Sequence, residues 1–204
     1  MAIACPVNFN KERLREEVRL AYAEVARNPN GDFHFHRGPE YAARLLGYDL
    51  ARLVALPPKA TGPFCGMGNP FKMAALPVGA TVIDIGSGGG MDCLLAARQV
   101  GPSGCVIGID MTDAMLERSR QAAQEAGLDN VRFEKAEMTE LPFADNSVDV
   151  MISNGVINLA PDKEAVFKEL HRVVKPGGRL QFADIIMKTE LSEDARNDID
   201  LWTG

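Results

Sequence analysis

Short apolar runs and helical patterns alternate along most of the chain after Gly79. The apolar, largely β-branched runs predict strands near 81–85, 105–109, 131–134, 148–153 and 178–186. Helical spacing of apolar residues predicts helices near 91–100, 113–127 and 162–174. Strands separated by helices imply parallel pairing with right-handed crossovers. We therefore predict an α/β fold with a doubly wound sheet of order 3-2-1-4-5 and a ligand above strands 1 and 4.

The first 78 residues follow a different pattern. Residues 10–27 carry apolar side chains at helical spacing and predict an amphipathic helix. A second helical stretch is predicted from about Glu40 to Leu56, before Pro57 and Pro58. An N-terminal helical cap over the carboxyl edge of a sheet would act as a lid that closes a site against water. We divide the chain into this cap, 1–78, and a ligand-binding core, 79–204.

Composition narrows the class of protein. The 204 residues are 46% hydrophobic with a net charge of −6, which is ordinary for a globular domain. The acidic balance and the lack of a Lys/Arg cluster argue against a nucleic-acid partner. There is neither an apolar run of about 18 residues nor a signal-peptide pattern, so no membrane association is expected. The four cysteines have no CxxC spacing, and we expect reduced thiols in a cytoplasmic protein.

A glycine-rich loop joins the first predicted strand to the next helix. Residues 84–90 read Asp-Ile-Gly-Ser-Gly-Gly-Gly, and Asp110 closes the following strand, where it is placed to accept from ribose hydroxyls. A dinucleotide loop needs a third small residue where this chain has Met91. The Asp84 carboxylate would repel a pyrophosphate but accept from a cationic amine. The loop therefore favours S-adenosylmethionine over a nicotinamide dinucleotide.

Two sets of segments carry a family resemblance. The first resembles the class I S-adenosylmethionine-dependent methyltransferases and comprises 84–88, 108–112, 141–143 and 174–178. The second resembles the arsenite methyltransferase branch of that superfamily and comprises 100–104, 153–159 and 161–163. The resemblance implies a Rossmann-like three-layer sandwich and an enzyme that transfers a methyl group to a small-molecule acceptor.

The resemblance also implies roles for nine residues on the cofactor side. Asp84 would face the amino group, with Gly86, Ser87 and Gly88 around the methionine part and Asp110 on the ribose. The remaining four are Met111 packed on the adenine, Glu137 accepting from its amino group, the Met138 backbone beside it, and Asn154 near the sulfonium. Five of them have a simpler alternative: Asp110 and Glu137 as solvated strand-end carboxylates, Met111 and Met138 as core residues, and Asn154 as a turn cap.

On the acceptor side the residues are candidates only. They are Tyr22, His34, His36, Cys65 and Asn158. Tyr22 would pack near the methyl group or in the core, and the histidines belong to a polar lid segment. Two histidines without a third ligand do not predict a metal site. We assign no catalytic residue. Because the loop after the fourth strand has no base, we expect a soft or already nucleophilic acceptor, such as a thiol, an arsenical, a selenium species or a carbanion.

The chain departs from the arsenite methyltransferase pattern at the three thiol positions that bind arsenic there. Met67 and Gly155 stand at the first two, and the third would follow Gly204. Cys65, two residues from the first position, is a possible substitute. Trivalent arsenic needs soft thiolate ligands, so arsenite is not the expected acceptor.

The last strands of the fold are also missing from these 204 residues. We expect the natural protein to be longer, and the exposed edge of strand five to pair with a second copy as a homodimer. The alternative to an active enzyme is a cofactor-binding, catalytically silent domain with an association or regulatory role.

Overall fold

The computed structural model of the protein describes residues 10–33, 35–186 and 188. Its centre is a parallel sheet in the order β3-β2-β1-β4-β5. The strands are β1 (Thr81–Ile85), β2 (Cys105–Asp110), β3 (Val131–Lys135), β4 (Val148–Asn154) and β5 (Val174–Ala183). The predicted strand order is confirmed, and the reversal of order between β1 and β4 places a crevice above the carboxyl ends of these two strands.

Seven α-helices surround the sheet in the described part of the chain. In chain order they are α1 (Lys11–Arg27), α2 (Gly38–Tyr41), α3 (Leu50–Val54), α4 (Pro58–Thr61), α5 (Met91–Val100), α6 (Asp113–Ala126) and α7 (Lys163–Val173). The last three are the crossover helices predicted from the spacing of apolar residues, and each agrees with its prediction to within one residue at either end. The first four belong to the cap.

The two faces of the sheet form separate hydrophobic clusters because alternate strand residues point to opposite sides. Val82 and Val106 pack with Leu94 of α5 and Leu116 of α6 on one face. On the other face, the isoleucines of β1 and β2 pack against α7. Burial of both faces explains why the strands are nearly continuous apolar runs. These layers are the three-layer sandwich expected from the sequence.

Two predicted elements are corrected. The helix expected over 40–56 is broken: α2 runs on into a π-helical turn, Ala42–Leu46, which ends at Gly47 with φ +73°. The Asp49 side chain then caps α3 by accepting from Ala51 N at 2.9 Å. Strand β5 starts at Val174 and not near 178, and its pairing with β4 contains a bulge. Both breaks occur at a glycine in the left-handed region, Gly47 and Gly177.

The cap is bonded to the core at both ends of the crevice. Arg118 of α6 donates to Ala26 O at 2.9 Å and to Lys59 O at 3.2 Å, so one side chain holds the end of α1 and the start of α4. On β5, the buried Gln181 amide donates to Pro70 O at 2.9 Å and Ala74 O at 3.0 Å. These contacts fix the cap along the carboxyl edge of the sheet, where it contributes walls to the site.

Candidate active site at the carboxyl edge of the sheet

A cleft lies above the carboxyl ends of β1, β2 and β4. It has about 1160 Å³ of empty space, part of it open to solvent. The glycine loop forms its floor, and α1 with the segment 60–66 forms the cap side. Most of the lining is apolar, with a few buried polar groups at the strand ends, which is the usual composition of a small-molecule site.

The glycine loop keeps its shape because no side chain fits at Gly86. This residue has φ +69°, and an added Cβ would lie 2.5–2.9 Å from the atoms of the Val156 side chain. Gly88 and Gly90 also have positive φ. Ser87 N donates to Ile109 O at 2.9 Å, which ties the loop to β2. The backbone is thus held open toward the cleft, where a ligand can approach it closely.

Asp110 is oriented by two backbone donors. Its Oδ2 accepts from Gly88 N at 2.9 Å and its Oδ1 from Thr112 N at 2.8 Å. Burial raises the pKa of this carboxyl, and the two N–H groups oppose that effect. The carboxylate is therefore fixed beside the glycine loop with lone pairs left for a ligand, as recognition of ribose hydroxyls requires.

Two further carboxyl groups are buried below the loop. Asp84 is 3% exposed and Asp92, at the start of α5, is 5% exposed. The Cys93 thiol donates to Asp84 Oδ2 at 3.2 Å, and the Tyr48 hydroxyl donates to Asp92 Oδ1 at 2.8 Å. Burial and the neighbouring carboxylate raise the pKa of Asp84 well above its ordinary value, and burial raises the pKa of Asp92 to about 6. Such a site favours a cationic ligand and disfavours a phosphate.

Asn154, at the end of β4, lies between the cap and the core. Its Oδ1 accepts from Met67 N at 2.8 Å and from Gly68 N at 3.0 Å. Its Nδ2 lies 3.0 Å from Asp92 Oδ2 and 3.0 Å from Tyr48 Oη. The residue lines the cleft, but its carboxamide is occupied by these protein partners.

The remaining residues predicted on the cofactor side also line the cleft. Met111, Glu137 and Met138 are among the residues that line it. Met111 packs with Leu14 and other residues of α1. The cleft thus brings together all nine predicted cofactor-side residues.

Of the acceptor-side candidates, Tyr22 and Cys65 line the cleft from the cap. Tyr22 stacks on Phe35 with ring centroids 6.3 Å apart. Burial raises the pKa of Cys65 to about 12, so this thiol is neutral at physiological pH. The cap thereby presents an aromatic face and an uncharged thiol to the cleft.

Two further acceptor-side candidates, His36 and Asn158, are not among the residues that line the cleft. His36 is exposed, with its ring 5.5 Å from that of Tyr41. Asn158 donates its backbone N–H to Asp184 Oδ2 at 3.1 Å. His34 lies outside the described residues. Within those residues no three His, Cys, Asp or Glu side chains are grouped to hold a metal ion. Likewise, no described helix is long and apolar enough to cross a membrane.

Sequence reasoning missed three residues that shape the site: Tyr48, Asp92 and Cys93. Asp92 carried a signal, because an acid directly after a glycine loop lies in the first turn of the helix that faces the ligand. Tyr48 carried none, since its partner Asp92 is 44 positions away in the chain. Cys93 carried none either, because its bond to Asp84 depends on α5 and β1 packing side by side.

Comparison with known proteins agrees with this geometry. Residues 77–203 match the family model described as a methyltransferase domain. An arsenite methyltransferase from Halobacterium salinarum is 45% identical over 161 residues, covering 78% of this chain and 40% of that protein. A demethylmenaquinone methyltransferase from Listeria monocytogenes is 39% identical over 115 residues, covering 56% and 48%. The crystal structure of an arsenic(III) S-adenosylmethionine methyltransferase from Chlamydomonas reinhardtii is 39% identical, with a TM-score of 0.60, covering 65% of this chain and 46% of that one.

The chain belongs to the methyltransferase domain family. Its predicted class, the class I S-adenosylmethionine-dependent methyltransferases of the arsenite methyltransferase-like branch, is confirmed, and so is S-adenosylmethionine as the cofactor of that class. The chain spans about 40% of the length of the arsenite methyltransferases that it matches.

Proposed function

We propose that this chain provides the donor site of an enzyme that transfers the methyl group of S-adenosylmethionine to a small nucleophile. One observation carries the proposal: buried Asp84 and Asp92 and the fixed Asp110 carboxylate meet at one glycine loop. A molecule with a cationic amino acid at one end and a ribose in the middle satisfies these groups. A pyrophosphate would meet three carboxyl groups and is disfavoured.

Different residues of the cleft would contact different parts of the cofactor. Asp84 would face the amino group, Asp110 the ribose, and Met111, Glu137 and Met138 the adenine, as the resemblance implies. The cofactor supplies an electrophilic methyl group on a sulfonium sulfur, and its leaving group needs no proton. The protein therefore has to align the acceptor with the methyl group and exclude water, and the cap is placed for both.

The acceptor is proposed to be a soft or already nucleophilic small molecule. Removing a proton from an alcohol would need an ionised base with a free lone pair near the methyl group. Asp92 already receives hydrogen bonds from Tyr48 and Asn154, and the Cys65 thiol is neutral. A thiol, a selenium species or a carbanion needs no such base.

Arsenite is a poor acceptor for the described site. The two positions where the arsenite methyltransferase branch carries thiols come together in space, but here they hold Met67 and Gly155. Gly155 has φ +72°, and an added Cβ would lie 2.8 Å from Met67 Cγ. Neither the Met67 thioether nor Gly155, which has no side chain, provides a thiolate ligand for trivalent arsenic.

Titration calorimetry with S-adenosylhomocysteine tests the donor site. We expect the chain to bind it, and the Asp110→Ala variant to bind about tenfold or more weakly because the ribose hydroxyls lose their acceptor. NADH serves as the control ligand and is expected not to bind. Binding of NADH without S-adenosylhomocysteine would overturn the proposal.

Turnover assays on the longest natural form separate an active enzyme from a silent cofactor binder. Methyl transfer to a thiol, to arsenite and to a quinol is measured in parallel. We expect product with at least one soft acceptor. Cofactor binding with no turnover on any of them would favour the association or regulatory role instead.

The arsenite prediction is tested by restoring the two thiols. We expect wild-type protein to bind arsenite weakly, and Met67→Cys/Gly155→Cys to bind it at least about tenfold more tightly because two thiolates chelate one arsenic atom. Each single variant is the matched control, since one added thiol cannot chelate. Equal binding by wild type and the double variant would show that another site binds arsenite.

A further inference from the structure

The cap segment 66–68 and the buried carboxyl pair share one residue, Asn154. The Asn154 Oδ1 accepts from the amides of Met67 and Gly68, and its Nδ2 lies 2.9 Å from Gly68 O and 3.0 Å from both Asp92 Oδ2 and Tyr48 Oη. The fit is close, since an added Cβ at residue 66 would overlap the same carboxamide. A change in the hydrogen bonds of Asp92 therefore reaches the backbone of the cap through a single side chain, that of Asn154.

Tyr48 is held rigidly enough to transmit such a change. Its ring is buried, edge-on to Phe64 at 5.5 Å and to Phe71 at 6.3 Å between centroids. The hydroxyl donates to Asp92 Oδ1 at 2.8 Å and accepts from Asn154 Nδ2 at 3.0 Å. Tyr48, Asp92 and Asn154 thus form a closed triangle of hydrogen bonds.

In this triangle Asp92 acts only as an acceptor, as an ionised carboxylate does. Each of its carboxylate oxygens receives a donor, one from Tyr48 and one from Asn154. Protonation would place a hydrogen on one of those oxygens, so that one of the two bonds would be lost or reversed. The hydrogen-bonding pattern of Asp92 therefore links its charge to the position of Asn154.

Burial opposes the ionisation of Asp92, and the hydrogen bonds from Asn154 and Tyr48 favour it. The titratable side chains that face it are Tyr48 from the cap, Asp84 from β1 and Cys93 on its own helix. All three are neutral or negative, so none of them stabilises a negative charge by its own charge. A cation bound in the cleft would do so.

We propose that Asp92 is a positioning residue that couples a cationic group in the cofactor cleft to closure of the cap. While ionised it fixes Tyr48 and Asn154, and Asn154 holds the segment 66–68 over the cleft. This inference rests on the proposed cofactor site. It adds that the cap closes firmly only over a ligand that carries the amino acid cation.

Burial supports a measurable pH window for this coupling. The pKa of Asp92 is raised to about 6, so protonation competes with the triangle at mildly acid pH. For an acid of raised pKa, the ionised form gains as pH increases through that value. Affinity for a cationic ligand should therefore increase with pH through about 6 and then level off.

The test measures S-adenosylhomocysteine affinity by calorimetry from pH 5 to 8, and the protection factors of the Met67 and Gly68 amides by hydrogen exchange. For wild type, the affinity and the protection factors are both expected to increase in a single step near pH 6. Tyr48→Phe removes a donor to Asp92, so its midpoint should move up by about half to one pH unit. Adenosine, which lacks the amino acid, should bind without this pH step.

Tyr41→Phe is the matched control. The Tyr41 hydroxyl donates to Gly66 O at 3.0 Å, in the same cap segment, but does not contact Asp92. This variant should lower the protection of the segment while leaving the midpoint of the affinity curve unchanged. A second variant, Asn154→Ser, should lower protection of the Met67 and Gly68 amides at every pH and remove their pH step.

Failure of the inference is distinguishable from failure of the proposed function. If wild type does not bind S-adenosylhomocysteine at any pH, the cofactor site itself is wrong. If it binds but Tyr48→Phe and Tyr41→Phe give the same midpoint, Asp92 does not position the cap. Persistence of the pH step in Asn154→Ser would equally overturn the coupling.

Discussion

Gly86 leaves β1 with φ +69°, and Val156 lies directly beside the position that a Cβ would take. Both features leave no room for a side chain at this point of the loop. A side chain at this residue would suffer backbone strain and a steric clash together. Gly127, at the end of α6, separates these effects: it has φ +62° and nothing within 4 Å of an added Cβ.

We expect Gly86→Ala to lower the free energy of unfolding by about 1–3 kcal/mol and to abolish binding of S-adenosylhomocysteine. Urea denaturation and calorimetry measure the two effects. Gly127→Ala carries the strain alone, so it should cost about 1 kcal/mol and leave binding unchanged. Normal binding by Gly86→Ala would mean that the loop accommodates a side chain and does not approach the ligand.

At the residue scale, the sequence identifies groups whose position follows from the chain alone. Asp84 and Asp110 end parallel strands, so the topology places both at the same edge of the sheet. Asp92 and Tyr48 meet only because the cap folds over α5, and no local pattern predicts that contact. The full polar network can therefore be identified only from the structure, in which the cap is packed against the core.

Helix α6 carries two arginines that bond to different parts of the molecule. Arg118 donates to Ala26 O and Lys59 O in the cap. Arg120 donates instead to Phe133 O in β3, at 2.9 Å. The two side chains leave the same helix two residues apart, so they provide a natural pair for testing how the cap is attached.

Arg118→Ala should loosen the cap without unfolding the core. We expect about three- to tenfold weaker binding of S-adenosylhomocysteine, because two charge-assisted hydrogen bonds that hold the cap are lost. Limited proteolysis should also cut the cap faster. Arg120→Ala, the control on the same helix, should leave the proteolysis of the cap at the wild-type rate. If both variants behave alike, the cap does not depend on Arg118.

At the element scale, helices were predicted correctly where the apolar periodicity extends over many residues. The prediction failed where single residues determine where a helix begins or ends. Helices α5, α6 and α7 have buried faces that fix their spacing. The stretch 40–56 has helical spacing too, but Gly47 ends one helix and Asp49 caps another. Local conformation at these residues outweighed the pattern of the whole stretch.

Across the whole molecule, one edge of the sheet carries an exposed apolar surface. In the described residues β5 pairs with β4 on one side only. Phe182 of β5 packs edge-on against Phe167, with centroids 6.0 Å apart, and both are partly exposed. Ile185 and Ile186 follow, the second 85% exposed. We call Phe167, Phe182, Ile185 and Ile186 the edge patch, and propose that it pairs with a second copy of the 204-residue chain.

An open strand edge beside apolar side chains favours association, because backbone donors and apolar area are both left to water. We expect light scattering after size exclusion to show a dimer fraction that increases with protein concentration. Ile186→Glu places a charge in the edge patch and should return the chain to a monomer. Val78→Glu is the control, since Val78 is 78% exposed at the opposite end of the sheet, before β1. A monomer at all concentrations, or equal loss of the dimer in both variants, would contradict pairing through β5.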